Sequence, residues 1–212
     1  MKNYKKILEA VKKEVKKRLK SESAHDYWHC YRVVQTAKYI GRKEKADLVV
    51  LEFAAWLHDI AHPVSKMDHD IEGAKLAKKF LTAHRVDKQL VEKIVSCIRK
   101  HRFIKGKKAN SLEEKILQDA DKLDALGAVG IARLFTVAGE HGQTIHNPKV
   151  KSDFSHYLKN DLSKTTIAHF YDKLFKLKKL MHTETAKKIA EEREKYMKEF
   201  LKRFYEEWQG KS

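Results

Sequence analysis

The sequence predicts an all-α protein, on three observations. Helical periodicity runs almost from end to end, with little strand-like alternation. Only 2 prolines and 8 glycines occur in 212 residues, too few for an all-β chain that turns roughly every 8–12 residues. At 42% hydrophobic and 35% charged residues, the chain is too apolar for disorder and too charged for a membrane bundle. The length suffices to bury one core without staples.

Residues 4–19 place Tyr4, Ile7, Leu8, Val11, Val15 and Leu19 on one stripe. Residues 26–42 do the same with Tyr31, Val33, Val34, Ala37 and Ile40. Residues 46–61 are apolar nearly all round, as a central buried helix must be, and Pro63 stops them. Helices follow over 69–83, 87–101 and 111–137, the last opened by a Ser111–Glu114 capping box. Two final helices, 163–181 and 183–209, carry Leu174, Phe175 and Leu177, then Ile189, Tyr196, Phe200, Phe204 and Trp208. That last aromatic series has helical spacing and reads as core, with Gly210 as a stop.

Two stretches interrupt the pattern: a basic loop over 103–110 and a Gly/His/Pro-containing stretch over 139–156, long enough to be a lid. With neither repeat nor linker, residues 1–212 read as a single domain. No apolar run reaches the ~18 residues of a membrane span, and the lysine-rich N-terminus lacks the apolar stretch of a signal peptide. Cys30 and Cys97 sit in helical patterns, and a reduced, cytoplasmic protein is expected.

The 12 histidines ask for an explanation. His29 lies in H-x-x-R-V on an amphipathic helix, His58-Asp59 ends the most apolar helix, and Asp121 lies in D-A-D-K-L-D. Ionisable groups beside buried helices require compensation, and a divalent cation held by two imidazoles and two carboxylates supplies it. A rival motif is weaker. His58-Asp59-Ile60-Ala61-His62 is close to the H-E-x-x-H of zinc proteases. Asp is a methylene shorter than Glu, however, and Pro63 ends the helix that the protease motif needs.

The H…HD…D pattern, with spacings of 29 and 62 residues, resembles the HD superfamily of metal-dependent phosphohydrolases. The match covers about residues 25–135. D-A-D-K-L-D-A-L-G-A-V-G-I-A-R (119–133), the loop at 139–156 and a C-terminal helical pair at 163–209 are similar to the small bacterial YpgQ/YedJ-like branch. The resemblance implies that His29, His58, Asp59 and Asp121 hold one divalent ion (Mn, Co, Ni, Fe or Mg), which activates water for attack on phosphorus. Asp59 and His62 are the candidate catalytic residues. His69, four residues before Gly73, and His101 occupy places where a two-metal branch has ligands. They are candidates for substrate phosphate contact or a second metal. His25, one turn before His29, Lys66, Asp124 and Arg133 complete the substrate-binding candidates, Arg133 as a bidentate phosphate clamp. His141 and His146 ride on the 139–156 loop; His84, His156, His169 and His182 read as surface residues.

The charge of +17 is carried by 37 lysines and only 9 arginines against 29 acids. A specific nucleic-acid reader would use more arginine, so no specific nucleic-acid recognition and no membrane partner are expected, and the surplus reads as a field that steers a small phosphorylated substrate inward. The resemblance implies nucleotides, foremost a nucleoside triphosphate cleaved within its phosphate chain. The alternatives are a nucleoside monophosphatase, a di-iron oxygenase of the same fold, and a nucleotide-binding module without turnover. The sequence leaves the oligomeric state open.

Overall fold

A computed structural model of the chain describes residues 2–20, 24–102, 108–150 and 164–211. Among these are nine helices and no strand. They are α1 (Lys2–Arg18), α2 (Tyr27–Glu44), α3 (Leu48–Leu57), α4 (His69–Ala83), α5 (Lys88–Lys100), α6 (Leu112–Asp124), α7 (Gly127–Glu140), α8 (166–180) and α9 (Glu184–Trp208). None is long and apolar enough to cross a membrane. The chain forms two compact units, residues 1–121 and 122–212.

In the first unit α3 is central. Its all-round apolar composition is explained by the packing of α1, α2 and α5 upon it, while α4 packs on α5. Val50, Leu51, Phe53, Ala54, Ala55, Trp56 and Leu57 are all buried, the larger ones contributing about 1.5–3 kcal/mol each. Helix starts are fixed by side chains that satisfy otherwise orphaned N–H groups. Asp26 accepts from the His29 N–H at 2.7 Å, Asp47 from Val49 and Val50, and Asp87 from Leu90. At α6 the capping box is reciprocal: the Glu114 N–H donates to Ser111 Oγ and the Ser111 N–H to Glu114 Oε2.

In the second unit α9 packs against α7 and against the last turn of α8, and α7 meets the first turn of α8. Thr183 caps α9 by accepting from the Ala186 N–H. Gly210, at φ +71°, follows its end. Cys30 and Cys97 are buried and form no disulfide.

The structure departs from the sequence reading in several places. α3 stops at Leu57, not residue 61, and residues 58–64 run on as turns (His62 N–H to Asp59 C=O, Val64 N–H to Ala61 C=O). The single helix expected over 111–137 is two. Gly127 adopts φ +76°, a left-handed conformation glycine takes without strain. At Gly130 a Cβ would sit 2.3 Å from the Ala125 carbonyl carbon. α8 is not a continuous α-helix: Thr166–His169 leads into a π-turn at Phe170–Leu174, then Phe175–Leu177 and a 3₁₀ turn at Lys178–Leu180. The C-terminal aromatic series is only partly core, because Tyr196 and Trp208 are half exposed. His169, read as a surface residue, is half-buried, and desolvation pushes its pKa down to about 3. Of the two interrupting stretches, residues 139 and 140 complete α7, 141–150 are irregular, and residues 103–107 and 151–156 lie outside the described residues, as does His156.

Candidate metal centre

Within the first unit, five elements direct imidazole and carboxylate groups to one place. α2 presents His29 from its buried face, beside Cys30, Val33 and Val34. The early end of α3 matters here. In a continuing helix, adjacent residues diverge by about 100°, whereas the turn after Leu57 lets both His58 and Asp59 face inward. His69 is the first residue of α4, His101 follows the last residue of α5, and Asp121 comes from α6. His29, His58, Asp59, His69 and His101 are buried; Asp121 is partly open.

The donors form two main groups that meet on Asp59, and His25 makes a further overlapping set with His29 and Asp59. Asp59 Oδ2 lies 3.5 Å from both His29 Nε2 and His58 Nε2, which are 3.1 Å apart. Asp121 Oδ1 joins them at 3.4 Å from His29 and 3.9 Å from His58. On the other side, Asp59 Oδ1 lies 3.4 Å from His69 Nε2 and 3.5 Å from His101 Nε2, themselves 3.2 Å apart. Such spacings match the edges of a coordination shell with bonds of roughly 2.1 Å.

Tautomers give an independent test of fit. His58 Nδ1 donates to the Ala55 carbonyl, His69 Nδ1 to Lys66 and His101 Nδ1 to Ile98. In each neutral ring Nε2 is therefore a bare lone pair. Between His69, His101 and Asp59 Oδ1 three acceptors converge without a donor, which only a cation reconciles, either a proton on one ring or a metal ion. A mixed nitrogen and oxygen set of this kind suits a divalent first-row metal.

Electrostatics follow the same geometry. Burial pushes His58 down to about 4 and lowers His69. Burial opposes ionisation of Asp59, but the facing His58 and His25 rings hold its carboxyl well below the usual range. Asp121 is likewise held low, against its desolvation, by His29 and His58. Burial opposes a charge on His101, yet its contact with Asp59 outweighs this and raises its pKa.

The remaining candidates divide. His25 Nδ1 is 2.7 Å from Asp59 Oδ2, and its ring stacks on His62 at 4.1 Å and 13°. His62 also approaches His69, at 5.0 Å between ring centroids, and burial pushes its pKa down to about 3. The Lys66 side chain is exposed, while its carbonyl anchors His69. Asp124 and Arg133 lie in the second unit, where Arg133 Nη1 donates to Asp124 Oδ2 at 2.7 Å. The sequence reading had given them separate roles toward substrate and missed this ion pair. It also missed the carbonyls three residues before His58, His69 and His101, which no residue type encodes.

Residues 27–126 match the HD domain family. YpgQ of Bacillus subtilis is 36% identical over 192 residues, 89% of this chain and 86% of that protein. The crystal structure of B. subtilis YpgQ in complex with ADP matches with a TM-score of 0.77 at 32% identity, covering 97% of this chain and 96% of that one. An HD-superfamily hydrolase from Bacillus thuringiensis matches with a TM-score of 0.76 at 31% identity, covering 97% and 98%. An all-helical core that gathers these imidazoles and carboxylates, with such relatives, defines a metal-dependent phosphohydrolase. The chain belongs to the HD domain family, with YpgQ among its relatives.

Proposed function

We propose that the protein hydrolyses small nucleotides, foremost nucleoside triphosphates within the phosphate chain, with two divalent cations for which Asp59 would be a common ligand. His29, His58, Asp59 and Asp121 would hold one cation; His69, His101 and Asp59 would hold the second. The observation that carries this reading is the division of Asp59, whose two oxygens each face a separate pair of Nε2 atoms. When bound, the cations supply Lewis acidity, polarising phosphoryl oxygen and making water nucleophilic at neutral pH.

The chain's own groups do the rest. His25 holds Asp59 in orientation through its 2.7 Å contact. His62, kept neutral by burial and stacked on His25, offers a hydrogen bond beside the donor groups without adding charge. The net charge of +17 raises the local concentration of anions. Nucleotides are favoured as the substrate class because the related YpgQ was crystallised in complex with ADP. A polyphosphate chain is favoured over a monophosphate because the positive field of a +17 protein attracts the more highly charged anion.

The test is a panel of nucleoside tri-, di- and monophosphates incubated with Mn²⁺, with products identified by phosphorus NMR. Pyrophosphate and nucleoside monophosphate from a triphosphate are expected. Phosphate released from monophosphates alone would replace this reading with a monophosphatase.

A further inference from the structure

Away from the metal centre, the first unit carries an exposed aromatic stripe that its core does not need. On α2 the exposed residues Trp28, Tyr31, Gln35, Tyr39 and Arg42 recur at helical spacing and fall within about 80° of one another around the axis. Trp28 is 60% exposed, Tyr31 41% and Tyr39 47%. Trp28 and Tyr39 are about 16 Å apart along the helix. Trp28 and Tyr31 meet edge to face at 5.8 Å, and Tyr27 and Trp56 back them, with Tyr27–Trp28 at 5.3 Å and Tyr31–Trp56 at 6.3 Å. Trp28 and Tyr31 are thus held in place by other rings.

A row of cations runs alongside. Lys16 Nζ of α1 lies 6.0 Å from the Tyr27 ring, and Lys12 Nζ lies 5.9 Å from Trp56. The acids of α1 are spent within the helix, Glu9 on Lys12 and Glu14 on Arg18. Among the described residues Lys13, Lys16 and Lys17 have no acidic partner, and all three are exposed.

We infer that this face binds single-stranded nucleic acid without reading its sequence. Rings with open π-faces stack on any base, and lysines flanking them follow the phosphates. The charge argues against a second copy of the chain as occupant, since both copies bring the same positive surface. The stripe also holds no Leu, Ile, Val or Phe, which leaves Trp28 as its one strong anchor for a bilayer. Lysine rather than arginine fits contact with the backbone instead of base edges. The site is independent of the metal centre and of the nucleotide reading above.

The test is fluorescence anisotropy with a labelled 12-nucleotide oligo-dT and an oligo-rU of equal length, a labelled duplex, and phosphatidylserine-containing vesicles, in chelator. Wild-type protein is expected to bind both single strands with similar affinity, to weaken steeply as salt rises, and to prefer them to the duplex. Trp28→Ala/Tyr31→Ala should lose at least tenfold in single-strand affinity, and Lys13→Glu/Lys16→Glu should lose a similar amount with a shallower salt dependence. Unchanged melting temperatures establish that both variants fold. Equal affinity for duplex and single strand, undiminished binding by the Trp28→Ala/Tyr31→Ala protein, or binding to vesicles alone would each overturn the inference.

Discussion

His69 and His101 direct their Nε2 atoms at each other across 3.2 Å, although each ring is anchored through Nδ1 to a backbone carbonyl. Two lone pairs held face to face, with a carboxylate oxygen 3.4–3.5 Å from both, favour a shared cation. His101→Ala should therefore lower bound Mn²⁺ from two ions per chain to one, leaving the group around His29 loaded. Elemental analysis after dialysis against micromolar Mn²⁺ reads this directly. An unchanged content of one ion in both proteins would assign His69 and His101 to substrate instead.

His25 acts on the same carboxylate from outside the two sets proposed above, although it also lies close enough to His29 and Asp59 to form a donor group with them. Its 2.7 Å contact fixes the plane of Asp59, and loss of such an orienting partner typically weakens metal binding by about 10–100-fold. His25→Ala is expected to fall in that range by metal titration while melting close to wild type. A change in affinity below threefold would make the contact incidental.

Much of the fold was legible because helical period, caps and an all-apolar segment each declare themselves locally. The early end of α3 was not legible: His58, Asp59 and Ile60 keep an acceptable helical pattern, and only tertiary packing turns the chain there. The break between α6 and α7 was hidden in the same way, since Ala, Leu and Val around Gly127 and Gly130 read as helix. The π-turn at Phe170–Leu174 shifts register by one residue, which periodicity over a short segment does not resolve. At the site, residue types and spacing singled out the imidazoles and carboxylates. Their partition about the two oxygens of Asp59 depends on ring orientation, set by the carbonyls of Ala55, Lys66 and Ile98. The Arg133–Asp124 pair escaped because nine residues and a helix break separate the partners.

The α6–α7 junction makes a paired prediction. At Gly130 a Cβ would fall 2.3 Å from the Ala125 carbonyl carbon and oxygen, backbone that cannot step aside cheaply. Gly130→Ala should cost about 3 kcal/mol or more. At Gly139, in the last turn of α7, a Cβ meets nothing within 4 Å, so Gly139→Ala should stabilise by roughly 0.5 kcal/mol. Denaturant melts of the two variants should move in opposite directions.

Glu114 links stability to pH. It is buried, which opposes its ionisation, but Ser96, the Asn110 N–H, Lys100 and the Ser111 N–H hold its carboxyl below the usual range. A carboxyl with a depressed folded pKa stabilises fully above its unfolded value, about 4.3, and loses that contribution as pH falls through the folded value. Glu114→Gln should thus cost about 2 kcal/mol at pH 7, and the gap from wild type should shrink below pH 4. A gap independent of pH would mean that shape, not charge, carries the contact.

Asp59 is the carboxylate common to both donor groups. The most direct test of that role is the Mn²⁺-dependent rate of pyrophosphate release from a nucleoside triphosphate, compared between wild-type and Asp59→Asn protein of equal thermal stability. The Asn side chain keeps the shape but lacks the charge that the proposed cations would share, and the rate should fall at least about 100-fold. A rate within a few-fold of wild type would contradict the account.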